Sequence, residues 1–116
     1  MEERRWKVRY RTWLDGDGIY WTRAIVLLFN GGMFFDVRWG LARKSPNDRL
    51  NKKLGRRIAL GRAVKMRHPG KYCGVHRFSL NGFYGVDGFT PEENAWVSRE
   101  IKVSEKRLLF YAQSGA

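Results

Sequence analysis

From Arg4 to Leu14 the chain alternates without interruption. Trp6, Val8, Tyr10, Thr12 and Leu14 fall on one side, and Arg5, Lys7, Arg9 and Arg11 on the other. A period of two is that of a strand with one face buried, here with a basic outer face. Asp15-Gly16-Asp17-Gly18 then reads as a turn. Residues 19–29 form a second apolar strand that ends in Asn30-Gly31-Gly32, a hairpin signal. Residues 33–43 return as a third strand, with Phe35, Val37, Trp39 and Leu41 on one face. The pattern predicts an α+β fold: an antiparallel β-meander with one main helix, about residues 46–67, packed across its apolar face and followed by further short strands. Residues 1–116 read as a single domain.

The helix is expected to begin at Ser45-Pro46, with Ser45 as the cap, Pro46 in the first position and Asp48 closing a capping box. Leu50, Leu54 and Ile58 recur every four residues, with Leu60, Gly61 and Val64 near the same side, and this stripe is expected to meet the sheet. At about 100° per residue, Gly55, Ala59 and Ala63 form a strip of small side chains nearly opposite. Asn51 and Arg62 flank that strip on one side, Lys52 and Arg56 on the other, which gives a shallow groove with donors on both banks. The alternative is that a second helix, including one from another copy of the chain, packs on the small residues and makes a homo-oligomer.

Past the helix the chain turns at His68-Pro69-Gly70. Residues 71–80 and 83–89 flank Asn81-Gly82 and read as a second hairpin, or else 81–89 is an aromatic loop that presents Phe83, Tyr84 and Phe89. Thr90-Pro91-Glu92-Glu93 is a helix-start signature. One short helical turn is expected there, followed by strands at 95–103 and 107–112.

Composition changes the picture chiefly through charge. The 116 residues carry 23 Lys and Arg against 11 Asp and Glu, a net charge of +12. So basic a chain implies an anionic partner, whereas 43% hydrophobic content argues against disorder. The single cysteine, Cys73, excludes an internal disulfide and suits a reducing cytosol. The longest apolar run, Ala24–Phe29, is far too short to span a membrane. No membrane partner and no leader segment are expected.

Catalytic chemistry is not evident. The acids are scattered over turns and caps, and no base orients Cys73 with His76 as a nucleophile pair. His68, Cys73 and His76 lack a fourth ligand at zinc spacing, and the DGDG turn lacks the later ligands of a calcium loop. Neither an enzyme, a metal nor a cofactor is therefore expected. Binding is better supported. Cations interleave with aromatics in Arg5-Trp6-Lys7, Arg9-Tyr10-Arg11 and Arg38-Trp39, as a surface pairing with phosphate and stacking on bases requires, although Trp6, Tyr10 and Trp39 also suit the core.

The run Asn47–Lys65, NDRLNKKLGRRIALGRAVK, resembles a segment of many small phage-encoded proteins, preceded by a strand that leads into Ala42-Arg43-Lys44-Ser45-Pro46. These include sponge proteins of the anti-Thoeris type, which sequester nucleotide immune signals. The resemblance covers about the helix alone and ends at Arg67, after which no second long helix is evident. It implies a non-enzymatic phage counter-defence protein, cytoplasmic in an infected bacterial host, that holds a cyclic nucleotide or cyclic ADP-ribose-like signal. The candidate ligand-binding residues are Asn51, Lys52, Gly55, Arg56, Ala59, Arg62, His76 and Tyr84. A second reading is a phage nucleic-acid-binding or anti-CRISPR-type inhibitor with an extended basic face, using Arg5, Lys7, Arg9, Arg11, Lys53 and Arg57. A third is a basic virion or nucleoid-associated structural protein.

Overall fold

The computed structural model describes residues 5–29, 32–45 and 49–114. The meander is present as β1 (Arg5–Leu14), β2 (Tyr20–Phe29) and β3 (Phe34–Arg43). Helix α1 (Lys52–Lys65) follows, then β4 (Cys73–Ser79) and helix α2 (Pro91–Ser114). The four strands pair in sequence order, all antiparallel. The first turn is held by Asp15, whose carboxylate accepts from the backbone amides of Asp17 and Ile19 and from the Trp21 indole. The Ile19 amide, then the indole, hold its pKa below the ordinary aspartate value. Asn30 and Gly31 of the next turn lie outside the described residues.

The two helices lie on opposite faces of the sheet, so strand β2 is buried on both sides from Thr22 to Phe29. Register separates the faces. Thr22 pairs with Thr12 and Ala42, and Ala24 with Tyr10 and Gly40, on the side of α1. Ile25, Leu27, Phe29, Phe35, Val37 and Phe78 face the other way and pack with Val86, Val97 and Ile101 from the 80–89 loop and α2. The apolar residues of β1 and β3 were expected on one face. They belong to opposite faces, because there are two helices to cover.

Helix α1 packs the other way round from the sequence expectation. Ala59 and Ala63 are 0% exposed against the sheet, whereas Leu50, Leu54, Ile58 and Val64 are 39–49% exposed. The sheet decides this. Beneath the helix it presents Ala24, Gly40 and Ala42, a floor of small residues on which another strip of small residues approaches closely. A Cβ at Gly40 would overlap the Ala59 carbonyl and lie 2.6 Å from the Ala63 amide nitrogen. A Cβ at Gly55 would meet Thr22 Oγ1 at 2.9 Å. The apolar stripe is therefore left outside.

The start of α1 also differs. Asn51 caps it, its side chain accepting from the Leu54 amide at 3.0 Å, and Ser45 lies ahead of the helix. The expected roles of Pro46 and Asp48 lie outside the described residues. The helix ends at Met66 in the left-handed region (φ 47°), whose amide bonds the Arg62 carbonyl at 3.1 Å.

Residues 83–89 form a loop rather than a strand, and the strands expected at 95–103 and 107–112 are both part of α2. A second long helix thus follows after all. Its N-terminus is the expected capping box: the Glu93 amide donates to Thr90 Oγ1 at 3.1 Å, and the Thr90 amide donates to the Glu93 carboxylate at 2.9 Å. Glu93 is 1% exposed and accepts two further bonds from Arg23 of β2, at 2.9 and 2.7 Å. The Arg23 guanidinium also donates to the Gly88 carbonyl at 3.1 Å and lies over the rings of Trp13 and Phe89. Val97 and Ile101, four apart, fall on this helix and not on the strand expected at 95–103. The 3.6 period prevails because the capping box fixes where the helix begins.

Two predictions follow from this packing. Gly40→Ala drives a methyl into the backbone of α1 and should lower stability by about 1–3 kcal/mol, read from the denaturant midpoint. An unchanged midpoint would mean that the helix does not rest on Gly40. Burial pushes the Glu93 carboxyl up, but the Arg23 bonds, the Thr90 amide and the charges of Arg23 and Arg11 bring it below the ordinary glutamate value. Its contribution is therefore full above about pH 5 and is lost as pH falls through the lowered value. Glu93→Gln leaves Arg23 buried with a neutral partner and should cost about 3–5 kcal/mol at pH 7. That deficit should shrink towards pH 3 in thermal scans. A deficit constant across this range would show that the charge of Glu93 is not what matters.

Candidate functional site

The small residues of α1 that were expected to line a ligand groove form its contact with the sheet. Gly55 and Ala59 are in that contact, and Asn51 is engaged as the helix cap. Lys52 is exposed at the first turn. Arg56 points along the β1 side of the helix, its guanidinium 5.4 Å from the Tyr10 ring. His76 pairs with Val37, on the face opposite α1, where its ring lies 6.4 Å from Phe78. Tyr84 is 89% exposed on that same side, edge-on to Phe78 at 5.3 Å. Of the eight expected ligand residues, only Arg62 lines the larger hollow described below.

The residues assigned to an extended basic face divide as well. Lys7, Arg9 and Arg11 lie on the α2 side of β1, where Arg11 covers the Trp13 ring at 4.4 Å and approaches Glu93 at 3.9 Å. Arg5 pairs with Phe29 at the start of β1. Lys53 and Arg57 belong to α1, across the sheet. Strand and helix do not share a plane of charge.

The cations converge elsewhere. Between the β4-facing side of α1 and the segment that leads into β4 lies a cavity of about 490 Å³. Arg57, Ile58, Gly61, Arg62 and Lys65 line it from the helix, and Arg67, His68, Tyr72 and Cys73 from the segment after it. Four permanent cations and a histidine face this hollow, with no carboxylate among its lining residues. Its volume lies within the usual range of small-molecule sites.

Helical spacing explains part of this convergence. Ile58, Arg62 and Lys65 follow at intervals of four and three, which stacks them on one flank of α1. The left-handed Met66 then turns the chain back, so that Arg67 and His68 face the helix they have just left. The Leu41 amide donates to the Tyr72 carbonyl at 2.7 Å and ties the returning segment to β3. Arg62 is the fixed element of the site. It donates to the Leu41 carbonyl at 2.6 Å, and its guanidinium lies 5.0 Å from the Tyr72 ring. One of its five N–H groups is thereby used and its position set, while the others remain to donate.

The floor is less polar. Ile58 supplies an apolar wall, and Cys73 is buried with its thiol donating to the His68 carbonyl at 3.4 Å. Arg67, His68 and Tyr72 were not singled out as ligand residues from sequence. No local signal marked them, because the left-handed helix end that turns the chain back falls on Met66 and not on a glycine. Among the described residues, His68, Cys73 and His76 do not form a metal-binding cluster, and no group of three or more His, Cys, Asp or Glu does so. No helix among the described residues is long and apolar enough to cross a membrane. Comparison of the chain with protein-family models, with curated proteins and with solved structures finds no match.

Proposed function

We propose that the protein binds, without chemical conversion, a small ligand that carries one or more phosphates and an apolar or ring portion, and holds it in the cavity between α1 and the 66–73 segment. The observation that carries this reading is the convergence of Arg57, Arg62, Lys65 and Arg67, with His68, on one hollow whose lining contains no carboxylate. Charge-assisted bonds from such donors to phosphate oxygens are about twice as strong as neutral ones. Ile58 and the bare backbone at Gly61 suit the uncharged part of a nucleotide. The likeness of Asn47–Lys65 to the helix of phage-encoded nucleotide sponges supports the same class of ligand. The fuller reading is a phage counter-defence protein that sequesters a cyclic nucleotide or cyclic ADP-ribose-like signal in the host cytoplasm.

Charge reversals around α1 and a salt titration test this reading. Lys65→Glu and Arg67→Glu should each weaken binding of the retained nucleotide at least about tenfold, since a charged hydrogen bond contributes roughly 1.5–3 kcal/mol. Arg56→Glu, on the other flank beside Tyr10, should change it by less than about twofold. Exposed substitutions of this kind usually alter stability by no more than about 0.5 kcal/mol, so melting curves should overlay. Duplex DNA should lose at least about a hundredfold in affinity between roughly 50 and 200 mM salt, because many counterions are released. The nucleotide, with only about one to three phosphates, should lose less than about tenfold. Salt-resistant binding to DNA or RNA, with no member of a nucleotide panel retained, would reject the small-ligand reading in favour of a nucleic-acid binder.

A further inference from the structure

Helix α1 has an outward face that the sheet leaves free and that shares only Arg57 and Gly61 with the cavity. Leu54 and Val64 point outward, 49% and 42% exposed, with Leu50 at 43% just ahead of the helix. Neither Leu54 nor Val64 lines the 490 Å³ hollow. Lys53 and Arg57 stand among them, and all the charged residues of the helix (Lys52, Lys53, Arg56, Arg57, Arg62 and Lys65) are basic. Gly61 lies on the same outward arc, with nothing within 4 Å of the position its Cβ would take. A glycine in mid-helix is destabilising; unlike Gly55 or Gly40 this one meets nothing in the fold, and it also lines the edge of the cavity. Beside Leu50 and Leu54 there is a second, smaller hollow of about 100 Å³, with Arg43, Lys44 and Arg49 also among its lining.

We infer that this outward face of α1 is a docking surface for an acidic protein segment that carries an apolar ridge, an acidic amphipathic helix being its simplest form. The ridge lies along Leu54 and Val64, the bare backbone at Gly61 lets it come close, and one apolar anchor enters the hollow beside Leu50. Carboxylates on either side of the ridge meet Lys53, Arg57 and Arg49. An apolar anchor enclosed by charged groups is the usual anatomy of a binding hot spot.

Charge selects this occupant over others. A second copy would bring the same six cations against six, on chains that each carry +12. Nucleic acid would meet the lysines and arginines but leave the aliphatic side chains without a partner. A membrane surface would require a continuous apolar arc, and Arg57 and Gly61 interrupt this one at its centre.

The probe is a synthetic helix of about 18 residues, roughly 27 Å long, rich in glutamate, with leucine at every fourth position and a fluorescent label. It is titrated with the whole protein at about 0.15 M salt. Controls are a scrambled peptide of the same composition, vesicles of phosphatidylserine and phosphatidylcholine, and sedimentation velocity of the protein alone. The ridged peptide should bind at least about tenfold tighter than the scrambled one. Leu54→Ser and Val64→Ser, which change no charge, should each remove at least about tenfold of that affinity with circular dichroism unchanged. Equal binding of both peptides, or serine variants that bind as well as the parent, would overturn the inference. So would a parent that self-associates through Leu54, or Leu54-dependent binding to vesicles in preference to the peptide.

Discussion

Everything on the α1 side of this molecule depends on how closely the helix can lie on the sheet. Gly40 has no side chain, and the Ala59 carbonyl and Ala63 amide occupy the space where one would be. The flanking residues on that floor, Ala24 and Ala42, are small as well. At this separation, small residues from both elements fill the interface, and larger side chains on α1 have nowhere to go but outward. The same closeness brings Arg62 within reach of the Leu41 carbonyl, and Arg38 of β3 within 3.0 Å of the Val64 carbonyl near the end of the helix. The position of the cavity follows from these contacts, because α1 forms one wall and the chain that leaves it forms the other.

The opposite face is built on different physics. There large side chains interdigitate, and three phenylalanines in contact, Phe29, Phe35 and Phe78, form its centre. One buried ion pair, Arg23 with Glu93, ties α2 to the middle of the sheet. A single buried carboxylate thus satisfies a guanidinium and closes a helix cap. Removing either partner leaves the other without its match in a medium that penalises an isolated charge. The division of labour is consistent: α2 and its loop supply bulk burial, and α1 is left to carry charge.

The first four strands and the α2 cap were legible in the sequence because each rests on a local rule, whereas the strands expected at 95–103 and 107–112 are helix. Period-two alternation, paired turns and the Thr90–Glu93 spacing all act within a few residues. What could not be read was which face of α1 meets the sheet. An apolar stripe on a helix ordinarily marks the buried side. Here the choice was made by Gly40, twenty residues away and on another element, and its meaning appears only once β3 is known to lie beneath the helix. The candidate site was legible in part for the same reason. Arg62 could be placed from the helix alone, whereas Arg67, His68 and Tyr72 come beside it only because Met66 takes a left-handed turn. His76 and Tyr84 were drawn towards that site by their chemistry, but the register of β4 sets His76 across the sheet, and Tyr84 lies on that same side against Phe78.

The charge on α1 has a consequence for when the site exists. The helix has 14 residues, two of them glycine, and no acid in its first turn. Isolated helices of this length are marginal even in favourable sequences, and each glycine adds about 1 kcal/mol against it. Lys52 and Lys53 sit at the end where the helix dipole disfavours cations by roughly 0.3–1 kcal/mol each, while Arg62 and Lys65 sit where it favours them. On its own this segment would not hold a helix. It does so because Ala59 and Ala63 are enclosed by the sheet and because Asn51, Arg62 and Arg38 engage its ends. The convergence of cations is therefore a property of the docked helix and is absent from the unfolded chain, so affinity for the proposed phosphate ligand would be coupled to fold stability. A phosphate in the cavity would relieve repulsion among Arg57, Lys65 and Arg67 and, by binding only the folded form, would stabilise it in proportion to the logarithm of ligand concentration.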